Sequence, residues 1–126
     1  MGKPIRILVA NRPRLMRELI TTTFSDQPDI EIVDEVPDEA DIPDTVLRTS
    51  PDFLVIAQDT LGKRPVICDV VLRSHPSLRI IAIAPHHSNS VYYWASIEIY
   101  SRRVEASEEA ILGILRTEAS QIGRST

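Results

Sequence analysis

Only one cysteine, Cys68, occurs in the chain, so no internal disulfide can staple it. It sits among Val66, Ile67, Val70 and Val71, a setting for a buried structural thiol rather than a nucleophile. No apolar run approaches the roughly 18 residues needed to span a bilayer. The opening Met1-Gly2-Lys3-Pro4-Ile5-Arg6 lacks the long apolar core of a signal peptide, and Gly2 lacks the Ser or Thr at the sixth position that a myristoylation signal wants. These absences point to the cytoplasm. Glycine is scarce, with four in the chain. None follows the first apolar segment, where a dinucleotide-binding fold needs them, and no Gly-x-Ser-x-Gly elbow offers a serine nucleophile. A net charge of -4 speaks against a protein built to coat nucleic acid.

What is present is an ordinary globular composition, 43% apolar and 25% charged, in a length that suits one domain with its own core. Charge is unevenly spread. Residues 1–17 carry Lys3, Arg6, Arg12, Arg14 and Arg17 and no acid. From Asp26 to Asp44 the chain carries nine acids and no Lys or Arg. Such a stretch is either a solvated acidic face or a docking surface for a basic partner.

Ile5–Ala10 is β-branched and nearly all apolar, as a buried first strand is. Pro13 suits the first turn of a helix, and Leu15, Met16, Leu19, Ile20 and Phe24 form its apolar stripe. Gln27-Pro28-Asp29 ends it. Ile30–Val36 mixes apolar and acidic residues like an edge strand, and Pro43–Thr49 gives a short helix. Pro51-Asp52-Phe53-Leu54-Val55-Ile56-Ala57-Gln58-Asp59 holds the central strand, buried on both faces. A third helix over 64–75 turns Val66, Ile67, Val70 and Val71 to one side, and Leu78–Ala84 is a fourth strand. Val91–Ser96 is expected as a turn or two of helix and Ile97–Ser101 as a fifth strand. Ser107 caps a last helix, with Glu108 and Glu109 against its dipole and Ile111, Leu112, Ile114, Leu115, Ala119 and Ile122 on its core face. Strands alternating with helices, joined by long crossovers, make an α/β domain with a doubly wound, five-stranded parallel sheet in three layers.

The ordered motifs resemble a response-regulator receiver domain, the phosphorylatable module of two-component signalling, and above all the receivers fused to LuxR-type DNA-binding domains. Leu8-Val9-Ala10-Asn11-Arg12-Pro13-Arg14-Leu15-Met16-Arg17-Glu18 follows that group's Leu-Val-Val-Asp-Asp-His-Pro-Leu-Phe-Arg-Glu pattern without gaps. Pro51–Ile56 fits its Pro-Asp-Leu-Val-Leu-Leu strand, Tyr100 precedes Arg103 as the switch tyrosine precedes the lysine, and Ser107–Ile111 fits the start of the last helix. The resemblance implies a flavodoxin-like (CheY-like) strand order 2-1-3-4-5, and residues 1–126 read as a single receiver-like domain without a DNA-reading tail of its own.

It fails at the site. The resemblance puts the family's two metal-binding acids at Asn11 and Arg12, its phosphoacceptor aspartate at Ala57, its switch hydroxyl at Ala84 and its lysine at Arg103. Alanine offers no carboxylate nucleophile, Arg12 brings a cation where a cation should bind, and Ala84 has no hydroxyl. Ala84 and Arg103 stand three residues closer than the family spacing, so a shortened fourth helix is expected. The chain therefore reads as a pseudo-receiver without enzymatic activity, metal or cofactor, working through protein contacts or dimerisation. A second reading has Arg12 and Arg103 hold an anionic ligand in the emptied pocket. Asp59 lies two residues beyond the acceptor position and reads as a loop aspartate. His75, His86 and His87 lack a Cys or acid at ligand spacing. Four of the six aromatic residues, Tyr92, Tyr93, Trp94 and Tyr100, crowd into one short region. In receivers that region is the partner and dimer surface, and Tyr and Trp are enriched at binding hot spots.

Overall fold

The computed structural model describes residues 3–58, 62–84, 89–96 and 99–124, with side chains described up to residue 119 and not at Asn89. The elements are β1 (Ile5–Ala10), α1 (Arg14–Ser25), β2 (Ile30–Glu35), a 3₁₀ turn (Glu39–Asp41), α2 (Ile42–Thr49), β3 (Phe53–Ala57), α3 (Val66–Ser74), β4 (Arg79–Ile83), β5 (Asn89–Ala95), β6 (Ile99–Glu105) and α4 (Glu108–Arg124). They build one sheet in the order β2-β1-β3-β4-β5-β6.

The first four strands pair in parallel, with Ile7 opposite Phe53 and Phe53 opposite Arg79. β3 is buried along its whole length, and β2 stands at an edge. Asp52 stitches the amino end of this central strand. Its Oδ2 accepts from the Arg6 amide at 3.0 Å, its amide donates to the Arg6 carbonyl at 2.8 Å, and its carbonyl accepts from the Arg79 amide. α2 stops at Ser50, which takes a left-handed conformation with φ 47°, and Pro51 then commits the chain to extended backbone.

Period-two alternation divides the sheet's side chains between two cores. On one face Leu8, Leu54, Ile56, Ile80 and Tyr93 pack under α2 and α3. On the other Ile7, Val9, Phe53, Val55, Ile81 and Tyr92 pack under α1 and α4. Each fully buried Leu, Ile or Phe contributes roughly 1.5–3 kcal/mol of transfer free energy. The two cores fix which strand residues face which helices.

The fold departs from expectation in three places. The sheet has six strands rather than five parallel ones, because Val91–Ser96 is no helix. Asn89–Ala95 forms β5, antiparallel to β4, and β6 pairs antiparallel to β5 with Trp94 opposite Tyr100. Val91-Tyr92-Tyr93-Trp94 is β-branched and aromatic, suited to a pleated surface, and an antiparallel hairpin needs no crossover. The other two departures are of helical phase: part of each expected stripe faces the core and part faces out. α1 buries Ile20 and Phe24 with Met16 packed beside them, leaving Leu15 and Leu19 exposed. α3 buries Ile67, Cys68, Val71 and Leu72, leaving Val66 and Val70 outside. The last helix follows its expected face at Ile111, Leu112 and Leu115, and the Ser107 hydroxyl accepts from the Ala110 amide at 3.1 Å. Ile122 lies outside the described side chains.

Candidate functional site

The carboxyl ends of β1, β3 and β4 converge at Asn11, Ala57 and Ala84, all of them buried. Asn11 follows directly from β1, and its Nδ2 donates to the Ile56 carbonyl at 2.8 Å, tying the end of β1 to the end of β3. Its Oδ1 is buried with no hydrogen-bond partner. The Asn11 carbonyl accepts from Arg17 Nη1 at 3.4 Å. Gln58, just past Ala57, is buried too. Its backbone amide donates to the Ile83 carbonyl at 2.9 Å, Nε2 donates to the Lys63 carbonyl at 2.6 Å, and Oε1 accepts from the Tyr93 hydroxyl at 3.2 Å. One amide side chain thereby locks the exit of β3 to β5 and to the segment entering α3.

This donor set does not fit a divalent cation. Asn11 Oδ1 is one neutral oxygen, Ala57 offers none, and Arg12 is cationic, whereas Mg²⁺ is held through carboxylates. Among the described residues no group of three or more His, Cys, Asp or Glu stands where it could hold a metal ion. Asp59, His86 and His87 lie outside the described residues. Arg12 is exposed with a guanidinium nitrogen 3.8 Å from Glu39. Arg103 lies elsewhere, on β6, lining a pocket of about 430 Å³ with Gln58, Gly62, Arg64, Tyr93 and Ser101. Arg12 is not among the described residues of that pocket. Arg64, the other cation there, already holds Asp69 at 2.7 Å.

No family model matches the sequence, and no curated protein matches it. Solved structures do. The signal receiver domain of NarL from Mycobacterium tuberculosis superposes with a TM-score of 0.57 at 21% identity, over 68% of this chain and 70% of that domain. The response regulator domain of Thermotoga maritima CheB gives a TM-score of 0.55 at 18% identity, over 65% of this chain and 61% of its own length. The chain has the fold of a response-regulator receiver domain.

In this receiver fold the β4-to-β6 region is the part rebuilt, and the aromatic cluster sits there. Alternation along β5 sends Tyr92 into the core beneath α4 and Tyr93 into the core beside α3, so both rings are buried rather than offered to a partner. A helix would have exposed one of them; a strand covered on both faces hides both. The Tyr92 hydroxyl accepts from Arg79 Nη1 at 2.8 Å and donates to Glu118 Oε1 at 3.2 Å. Burial pushes its phenol up to about 12, against the opposing pull of Arg79. Trp94 is half-buried and stacks on Tyr92 and on Tyr100, with ring centroids 5.2 and 5.3 Å apart. Tyr100 is 44% exposed, and Arg102 lies over the Tyr92 ring at 5.8 Å. Of the four aromatics, Trp94 and Tyr100 therefore reach solvent. Sequence reasoning missed Gln58 as a lock. The only local hint was an amide directly after an apolar strand.

Proposed function

We propose that this chain is a phosphorylation-independent signalling module of the two-component type, acting by contact with a protein partner or a second copy. The observation that carries the reading is the floor of the receiver pocket. Phosphoryl transfer to a receiver needs a carboxylate nucleophile beside a carboxylate-held cation. At those positions stand Ala57, Asn11 hydrogen-bonded to the Ile56 carbonyl, and Arg12 turned toward Glu39. The contact surface is the Trp94–Tyr100–Arg102 face of β5 and β6, where stacked rings form a rigid, partly exposed anchor at the sheet edge. Among the described residues no helix is long and apolar enough to cross a membrane.

Two measurements test this. Incubation with acetyl phosphate and Mg²⁺, followed by intact-mass spectrometry, is expected to leave the mass unchanged. A hydroxylamine-labile phosphoryl adduct would overturn the reading. For the surface, Tyr100→Glu is the cleaner probe, because Trp94 also supports buried Tyr92. If the wild-type chain sediments as a dimer, Tyr100→Glu is expected to convert it to monomer. If it sediments as a monomer, a partner recovered with it should be lost in the same variant.

A further inference from the structure

α2 and α3 lie side by side on one face of the sheet, and the valley between their outer surfaces is apolar and uncovered. Pro43 and Leu47 stand four residues apart on α2, as do Val66 and Val70 on α3, so each helix presents one ridge to the valley. Leu47 is 69% exposed, Val66 79% and Val70 46%. These are three of the six large apolar side chains left exposed among the described residues, so half of that exposure is gathered in one place. Two cavities of about 320 and 470 Å³ run along the valley and share Pro43 and Val70, which makes them one continuous groove.

Its charge has one sign. Asp38 and Glu39 line one end and Asp44 the other, with His75 beside Ser74, and no Lys or Arg is among the described lining residues. Among the described residues Glu39 pairs with Arg12 at 3.8 Å, both about half exposed, which is a weak pair. Asp38 Oδ1 accepts from the Ala40 amide, and its Oδ2 makes no hydrogen bond with a described residue. Asp44 makes no ion pair with a described residue. Arg48, the cation next to Leu47, is turned to Asp34 at 3.2 Å.

We propose that this groove docks a basic amphipathic helix of a partner protein. Its apolar side chains, at i, i+4 and i+7, would lie along Pro43, Leu47, Val66 and Val70, while flanking Lys or Arg face Asp38, Glu39 and Asp44. A groove between two helices with spaced apolar ridges is how amphipathic helices are received, and the carboxylate rim selects a cationic one. The proposal rests on the reading of the chain as a protein-contact module, and it names a surface on the opposite side of the sheet from Trp94 and Tyr100.

The test uses the full chain, labelled with nitrogen-15, and a synthetic helical peptide with Leu at i, i+4, i+7 and i+11 and Lys on its flanks. At ~150 mM salt the peptide is expected to shift amide signals of α2 and α3. Leu47→Glu and Val66→Glu, both at exposed positions, should keep the wild-type melting temperature and weaken binding about tenfold or more. Asp44→Lys should weaken it and flatten its salt dependence, and Tyr100→Glu should leave it unchanged. Absence of binding at millimolar peptide, or unchanged affinity in both Glu variants, overturns the proposal. Shifts confined to β5 and β6 overturn the groove while leaving the module reading intact. A wild-type dimer dissociated by Leu47→Glu identifies a second copy as the occupant and overturns the proposal too.

Discussion

Cys68 faces the sheet from α3 and is fully buried, and burial, reinforced by Asp69, holds its thiol up at about 12. The thiolate is the reactive form, so the native protein presents almost none of it even at about pH 8.5, where a free thiol is half ionised. Ellman's reagent at that pH is expected to react with Cys68 only as fast as the chain opens, and the rate should climb with urea. Fast, stoichiometric labelling of the folded chain would mean that α3 opens locally without global unfolding. The burial of Cys68 was legible from its aliphatic neighbours. The role of Gln58 was not, since it bonds the Lys63 carbonyl and the hydroxyl of Tyr93, 35 residues away. A side chain's own type does not say which distant hydroxyl will reach it.

Elements were more legible than their phases. β1, β3 and β4 announce themselves as apolar runs, while α1 and α3 lie where expected with only part of each expected stripe inward: Met16, Ile20 and Phe24 in α1, Ile67 and Val71 in α3. In α3 the pairs Val66–Val70 and Ile67–Val71 are equally good helical ridges, and only the second, with Cys68 and Leu72, meets the sheet. The rejected ridge became the exposed wall of the α2–α3 groove. β5 is ambiguous in the sequence, because a short aromatic run suits a strand or a turn of helix until its partners are known. α4 is anchored to the rebuilt region by a nearly enclosed cluster in which Arg79 Nη1 lies 3.4 Å from Glu118 Oε1 and both bond the Tyr92 hydroxyl. Glu118→Ala leaves Arg79 without its acid and is expected to cost about 1–3 kcal/mol in urea unfolding. Glu118→Gln, which keeps an acceptor for Tyr92, should cost less. Equal losses in the two variants would show that the charge alone matters.

At the scale of the whole molecule, the uneven charge of the sequence closes on itself. Basic residues of β1, of the loop after it and of α1 meet acids of β2 and the following turn, through Arg6 and Glu31 at 4.0 Å, Arg12 and Glu39 at 3.8 Å, and Arg17 and Glu35 at 3.7 Å. Arg116 adds a two-pronged hold on Asp29, at 2.7 and 3.1 Å, which lowers that carboxyl's pKa through the hydrogen bonds. These pairs are largely exposed and contribute little each, so they orient neighbours more than they stabilise the fold.

The antiparallel hairpin has a larger consequence. Among the described strands β6 stands at the sheet edge, with Ser101, Arg103 and Glu105 exposed on the α3 side, beside half-buried Val91, Ala95 and Ile99. An unpaired edge templates strand addition, and inward or flanking charge is how such edges are guarded. Arg103 and Glu105 alternate with Arg102 and Val104, so they place charge on the face where the sheet is least covered. The double variant Arg103→Val, Glu105→Val removes both charges from this face and makes residues 103–105 a β-branched run. It is expected to associate, in sedimentation velocity at micromolar concentration, beyond whatever the wild-type chain does, with Arg103→Lys behaving as wild type. If the double variant sediments unchanged, the edge does not depend on these charges for its protection, and the charges of β6 are free to serve a partner instead.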